Sequence, residues 1–413
     1  MLSFRMLRLP MLGLRKPGTV LAVLGCAASL AVLPGTAARA DTIRDAQQWV
    51  LSMMNVPAAW QLTEGRGVTV AVIDSGVNPD VSDLNGSVVT GPDYTGVTTK
   101  PSNPDWGVHG TWMASLIAGH GHDGGVSGVT GVAPHSTILS IRVIPDRDDP
   151  HYGRYSHEQE PSIQDSLAHG IEYAIGHGAK VISMSIGYSA PNGAVRQALA
   201  DAYARGVVVV ASAGNSGAPG GTSDGAQAPE SFPADYPGVI SVGAVKADGA
   251  VASFSSENLS VQVAAPGVSV PAQGRDGQYW WVSGTSPACA LVAGVAALIK
   301  SRYPDLAPNL VATALISTTT DRPAGGYNNE IGFGIVDAAG ALARAAKLAG
   351  DPPAPAGIAT AARFGGGPSA VTAPPIHSRG SGQLILFVLL ALTSLVLTAA
   401  AATRLAILRR PPR

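Results

Sequence analysis

Four apolar runs do most to limit what this chain can fold into: 67–74 (Gly-Val-Thr-Val-Ala-Val-Ile-Asp), 206–211 (Gly-Val-Val-Val-Val-Ala), 239–245 and 261–265. They are dominated by Val, Ile and Ala and lack the sustained polar alternation of a half-exposed strand. Each therefore reads as a strand covered on both faces, the habit of parallel sheets wrapped by helices. Helical spacing fills the intervals, most clearly in 109–119, 162–178, 194–205 and 287–300, with closing helices at 310–318 and 337–348. The expected class is α/β, a mostly parallel sheet flanked by helices. A further buried strand is read at 138–143, and another over 179–187.

The helix at 287–300 is entered through Gly284-Thr285-Ser286. Its apolar residues, Ala288, Leu291, Val292, Val295, Leu298 and Ile299, form one wide stripe. Ser286 is expected as the N-cap, with Pro287 at the first helical position, where the missing N–H has no partner to lose. The Ser286 hydroxyl then sits at the positive end of the helix dipole, where a developing oxyanion is favoured. A serine needs a base to take its proton and a carboxylate to orient that base. Asp74 ends a buried strand, the usual place for a site in an α/β sheet, and His109 opens an amphipathic helix. Asn215, just past the 206–211 strand, can offer a side-chain amide to an oxyanion.

Asp74, His109, Asn215 and Ser286 come in the order of subtilisin-like serine proteases, each inside a motif resembling the family's, and the resemblance covers about 47–349. Within that family the chain most resembles the mycosins, the membrane-anchored subtilases associated with type VII secretion. Gln48-Trp49 and Pro57 to Trp60 running into the Asp74 strand, and Ala118-Gly-His-Gly-His122, point there. The resemblance implies a subtilisin-like fold and a serine endopeptidase acting through an acyl-enzyme. Asp74, His109 and Ser286 would be the triad and Asn215 the oxyanion donor. It also implies that Ser183, Met184, Ser185, Ile186 and Gly187 form one wall of the substrate subsites, with Ser212, Ala213 and Gly214 the other. No acid is evident at the base of that pocket, which disfavours basic residues there. The implied partners are a protein or peptide substrate, the membrane and a type VII secretion membrane complex. No cofactor is required; the resemblance leaves room for a structural Ca²⁺, as many subtilases bind, although no EF-hand-type Asp loop makes it readable here. One departure stands out. The family usually puts a small or apolar pair after its nucleophile and Pro four residues on, whereas here Pro287 is adjacent and Ala290 holds the later position. The alternative reading is a weakly active or inactive subtilase scaffold that stabilises a secretion complex.

The rest of the chain divides by composition. Residues 1–40 read as an export signal, with Arg5, Arg8, Arg15 and Lys16 before an apolar core and Ala38-Arg-Ala40 as the cleavage site. Residues 41–66 form an arm too short for a folding prodomain, with Trp49 and Trp60 as its buried anchors. The peptidase domain is expected over 67–349 and a Pro/Gly/Ala-rich linker over 350–383. A single charge-free transmembrane helix follows at 384–403, then a basic tail at 404–413 that the positive-inside rule assigns to the cytoplasm. Only 13% of residues are charged and the net charge is −1, so no basic surface for nucleic acid exists. With Cys26 in the export signal, Cys289 has no internal partner and reads as a small buried hydrophobe. The glycine-flanked His120 and His122 read as a loop without a metal, and 145–161 reads as a polar insertion, either a solvated loop or one that contacts substrate or gates the cleft.

Overall fold

β1 (Thr69–Asp74) is an interior strand, third in the seven-stranded sheet. It pairs in parallel with β5 (Thr137–Arg142) on one side and β6 (Val181–Met184) on the other. β2 (Val88–Asp93) forms one edge, and β7 (Val208–Ser212), β8 (Val239–Val245) and β9 (Val261–Pro266) extend the other. The order is β2-β5-β1-β6-β7-β8-β9, with every ladder parallel. The chain leaves β1 toward β2 and β5, then crosses back to β6. The carboxyl end of β1 is thus the switch point, where connections depart in opposite directions and open a cleft. This computed structural model describes residues 42–153, 161–217 and 228–350. The expected signal at 1–40, the linker beyond Gly350, the apolar span 384–403 and the basic tail lie outside the described residues. Among the described residues no helix is long and apolar enough to cross a membrane.

Parity along the strands sorts the core into two layers. Val70, Val72, Val181, Val208, Val210 and Val242 face one side, packed with α3 (Val108–Ala118), α6 (Thr285–Arg302), α7 (Pro308–Ser317) and α8 (Ala338–Gly350). Ala71, Ile73, Ile182, Met184 and Val209 face the other, against α4 (Pro161–Gly176) and α5 (Gly193–Ala204). Asp74 shares the parity of Val70 and Val72 and so turns toward α3 and α6.

Both of those helices differ from the single apolar stripe that spacing suggests. Every residue of α6 from Thr285 to Lys300 is buried, and α3 is buried from Gly110 to Ala118 except at Trp112. Ala, Gly and Ser on their other faces are small enough to pack rather than polar enough to solvate. A helix enclosed on all sides is the result. α6 also starts earlier than expected: its N-cap is Gly284, so Ser286 is the second helical residue and Pro287 the third. Pro287 is tolerated all the same, because N–H groups of the first turn have no intrahelical acceptor.

The arm is helical, α1 (Thr42–Met53) and α2 (Val56–Trp60), and it is stitched to the domain. Buried Gln47 makes a two-way clamp on Thr130, donating Nε2 to its carbonyl at 2.8 Å and accepting its N–H at 3.0 Å. Trp49 and Trp60 are half-buried against the core, and Trp60 Nε1 donates to the Val132 carbonyl at 2.9 Å. The expected His loop is instead a hairpin, β3 (His120–His122) against β4 (Ser127–Thr130). Its anchor is Asp83, fully buried, which takes His122 Nδ1 at 2.7 Å, the Val129 N–H at 2.7 Å and the Tyr279 hydroxyl at 3.1 Å. Tyr279 belongs to a second hairpin, β10 (Val270–Gln273) with β11 (Tyr279–Val282), which leads straight into Gly284. Two further expectations change. β6 ends at Met184, leaving Ser185, Ile186 and Gly187 beyond the strand. The described part of the insertion, 145–153, is not simply solvated, since Asp146 and Asp149 are both buried in it.

Candidate active site

Asp74 closes β1 with its side chain 3% exposed, and the Ser75 backbone N–H donates to its Oδ1 at 2.7 Å. His109, second residue of α3, faces it: Nδ1 lies 2.8 Å from Oδ1 and 3.0 Å from Oδ2. A carboxylate at neutral pH only accepts, so Nδ1 carries the proton and Nε2 keeps its lone pair on the other side of the ring. Burial alone would lower the pKa of His109. The charge and hydrogen bond of Asp74, followed by the charge of Asp146, outweigh that and the opposing Arg147, and hold it above its ordinary 6.5. An imidazole held this way can take a proton at Nε2 and keep the resulting charge.

The first turn of α3 is fixed from outside. Its N-cap, Gly107, is left-handed (φ 73°) and brings no side chain to the free amides. The N–H groups of Val108 and His109 donate instead to Oδ2 and Oδ1 of Asp146, at 2.8 Å each, and the Gly110 N–H donates to Ser75 Oγ at 3.1 Å. Gly110 is needed for that approach, because a β-carbon there would collide with the Gly76 carbonyl oxygen. Burial is the main cause that pushes the Asp146 carboxyl from 3.8 up to about 6, against the pull of its amide donors. Asp146 is the residue that sequence reasoning missed. Its signal was an acid just past the end of a buried strand, inside what read as a polar insertion.

Ser286 is buried at the start of α6, next to Gly284, whose φ of 155° is open essentially to glycine alone. Asn215 Oδ1 accepts from the Thr285 N–H at 2.8 Å and from its hydroxyl at 3.1 Å. A backbone N–H can only donate, so the amide orientation follows and Nδ2 points elsewhere. A β-carbon placed on Gly284 would stand 3.6 Å from both Asn215 Nδ2 and the Ser286 backbone nitrogen, so these two donors border one small space. Ser185, one residue past the Ile73–Met184 register pair, donates its hydroxyl to the Ser286 carbonyl at 3.3 Å. The strand end beside Asp74 therefore touches Ser286 directly. Cys289, one turn on, is a packing residue. Its thiol is pushed up to about 12 by burial, and its sulfur lies 3.8 Å from Ser183 Oγ.

The residues expected to wall the subsites divide by strand parity. Met184 is fully buried on the opposite face of the sheet, among residues packed on α4 and α5, so its side chain cannot reach a substrate. Ser183, Ser212 and Ala213 are buried as well. Ser185 and Ile186 are half-buried, Gly187 is exposed, and Gly214 is half-buried across from them. Ser231 lies between these edges, a residue the sequence reading did not single out. A β-carbon on Gly187 would stand 2.7 Å from Ser231 Oγ, and one on Gly214 would stand 3.4 Å from it.

Comparison with known proteins bears on the family and the fold. A model of the subtilase family, peptidase S8, matches residues 65–334. Subtilisin DY from Bacillus licheniformis is 39% identical over 258 residues, covering 62% of this chain and 85% of the relative. The MycP3 protease of the type VII (ESX-3) secretion system superposes with a TM-score of 0.60 at 32% identity, covering 75% of this chain and 90% of that one. MycP1, a serine protease described as an essential component of the type VII (ESX-1) secretion system, does so with a TM-score of 0.59 at 32% identity, over 71% and 88%.

Proposed function

Because this chain belongs to the subtilase family of serine endopeptidases, we propose that Asp74, His109 and Ser286 are its catalytic triad, and Asn215 with the Ser286 N–H its oxyanion hole. The observation that carries the reading is the pair of donors bordering one space at Gly284, beside a serine whose carbonyl accepts from Ser185, the residue after the Ile73–Met184 register pair that leads into Asp74. Ser286 Oγ attacks a peptide carbonyl while His109 Nε2 takes its proton. Asp74 stabilises the imidazolium, and the two N–H groups receive the oxyanion. As the C–N bond breaks, His109 returns the proton to the leaving amine. Water, deprotonated by the same nitrogen, then releases the acyl group and restores Ser286.

The extended substrate lies between the edges at 185–187 and 214–215, with its preferred side chain over Ser231. A small polar floor and glycine walls suit an uncharged side chain. The domain is held at the outer face of a membrane by the span at 384–403 and acts on proteins of a type VII-like secretion system. The signal-like segment 1–40, the arginines at 404, 409, 410 and 413, and the likeness to MycP1 and MycP3 support this. The test is hydrolysis of a mixed peptide library by the full chain and by Ser286→Ala: cleavage by the first alone supports the reading, and equal cleavage or none sinks it. MycP1 is described both as a serine protease and as an essential component of its secretion system, which motivates a second reading in which this chain contributes structurally. Secretion restored by Ser286→Ala in cells lacking the chain would assign the main role to the scaffold.

A further inference from the structure

We propose that Asp146 is a positioning residue for His109: its carboxylate, reaching back from the segment after β5, sets the first turn of α3 and so aims the imidazole between Asp74 and Ser286. The proposal rests on the triad reading above. Three consecutive amides of that turn, those of Val108, His109 and Gly110, are each held by a side chain from outside the helix. Asp146 takes two of them with its two oxygens, and the third goes to Ser75, the neighbour of Asp74. Gly107 cannot cap the helix itself, so without Asp146 the Val108 and His109 amides would have no acceptor among the described residues.

The segment that carries Asp146 is itself anchored. Asp149 donates its N–H to the Asp146 carbonyl at 3.0 Å, pairs with buried Arg142 at 3.4 Å and accepts from His151 at 2.9 Å. Arg142 in turn donates Nε to the Ser75 carbonyl at 3.0 Å. Asp146 and Ser75 are therefore two ends of one frame that grips the start of α3, and through it His109.

A neutral Ser or Asn would cap the helix as well, so the choice of a buried acid needs a reason. Its charge faces His109 on α3 and Asp74 on β1; on its own segment Arg147 opposes its effect on His109, and Asp149 is hydrogen-bonded to its carbonyl. A negative charge there favours the imidazolium that forms as Ser286 is deprotonated, adding to Asp74. Asp146 thus contributes twice, once by geometry and once by charge.

Asp146→Asn and Asp146→Ala separate the two in the full chain. Asn keeps one acceptor and removes the charge. The expected result is a kcat/KM acid limb moved to lower pH, with KM unchanged and kcat at pH 8 within about tenfold of wild type. Ala removes both acceptors, and a small misalignment of a catalytic group costs on the order of 10- to 100-fold, expected in kcat and not in KM. An unmoved acid limb in Asp146→Asn overturns the charge contribution, and kcat within twofold in a folded Asp146→Ala overturns the geometric one. Should the Ala variant not fold, Asp146→Asn decides alone. The downfield proton resonance of His109 Nδ1 gives a reading that needs no turnover. Its pH midpoint falls in Asp146→Asn if the charge acts as proposed, and an identical midpoint overturns the charge contribution. If the wild type itself cleaves nothing while that midpoint moves, the triad reading has failed and the charge contribution of Asp146 has not.

Discussion

Asn215 has two separable jobs, and replacing it with Asp or Ala tells them apart. Oδ1 holds the start of α6 through the Thr285 amide and hydroxyl, while Nδ2 borders the space beside Gly284. Asn215→Asp keeps an oxygen for Thr285 and replaces the donor with an acceptor. Asn215→Ala loses both. Structurally, Ala costs two hydrogen bonds at an exposed residue where water can substitute. Each such bond contributes about 0.5–1.5 kcal/mol, so the expected loss of stability is below about 2 kcal/mol. Catalytically, the loss is larger. In subtilisin, a relative of this chain, removing the oxyanion Asn costs about 100- to 1000-fold in kcat, roughly 2.7–4 kcal/mol. Both variants should therefore lose about two to three orders of magnitude in kcat with KM little changed, and Asp no less than Ala although it retains the Thr285 contacts. The assay is steady-state peptide hydrolysis at pH 8 alongside thermal unfolding. If Asn215→Asp turns over within threefold of wild type, Asn215 is a clamp on α6 and not an oxyanion donor.

Three other outcomes follow from the same contacts. Because His109 must be neutral to act as a base and its pKa is held above 6.5, kcat/KM should fall with a midpoint above pH 6.5 as the solution is acidified; Asp74→Asn moves that midpoint down and lowers kcat by about 10⁴, as in serine-protease triads. Asp146 binds its proton more tightly folded than unfolded, so its contribution to stability falls as pH rises from 3.8 through about 6; at ~1.4 kcal/mol per pH unit, Asp146→Asn should gain about 2 kcal/mol over wild type between pH 4 and 7 in chemical denaturation, and a pH-independent difference would contradict the burial argument. Gln47→Ala leaves the Thr130 amide and carbonyl without their clamp, a loss of about 1–3 kcal/mol that calorimetry would read as a lower melting temperature, and an unchanged melting temperature would show the arm to be dispensable.

What could be read from the sequence was whatever is local. Strands such as 67–74 declare themselves through residue type, and the positions of Asp74 at a strand end and His109 in a first helical turn follow from where those runs stop. Contacts between distant segments left no such trace. Asp146 caps a helix that begins 38 residues earlier, and Asp83 organises a hairpin with the help of Tyr279, 196 residues away. Sidedness was equally hidden. A strand buried on both faces shows no polar alternation, so only the register reveals that Ser183 turns to α6 and Met184 away from it. The start of α6 was displaced because Asn215, 70 residues upstream, holds Thr285 within the helix, where local capping rules point to Ser286.

The central claim is that Ser286 is an activated nucleophile. Incubating the full chain and its Ser286→Ala counterpart with a fluorophosphonate probe, then locating the adduct by peptide mass spectrometry, tests it most directly. The account predicts one adduct, on Ser286, that forms faster as pH rises through the His109 pKa and is absent from the variant. A folded wild-type chain that takes no label, or a label that persists on another residue in Ser286→Ala, would contradict it.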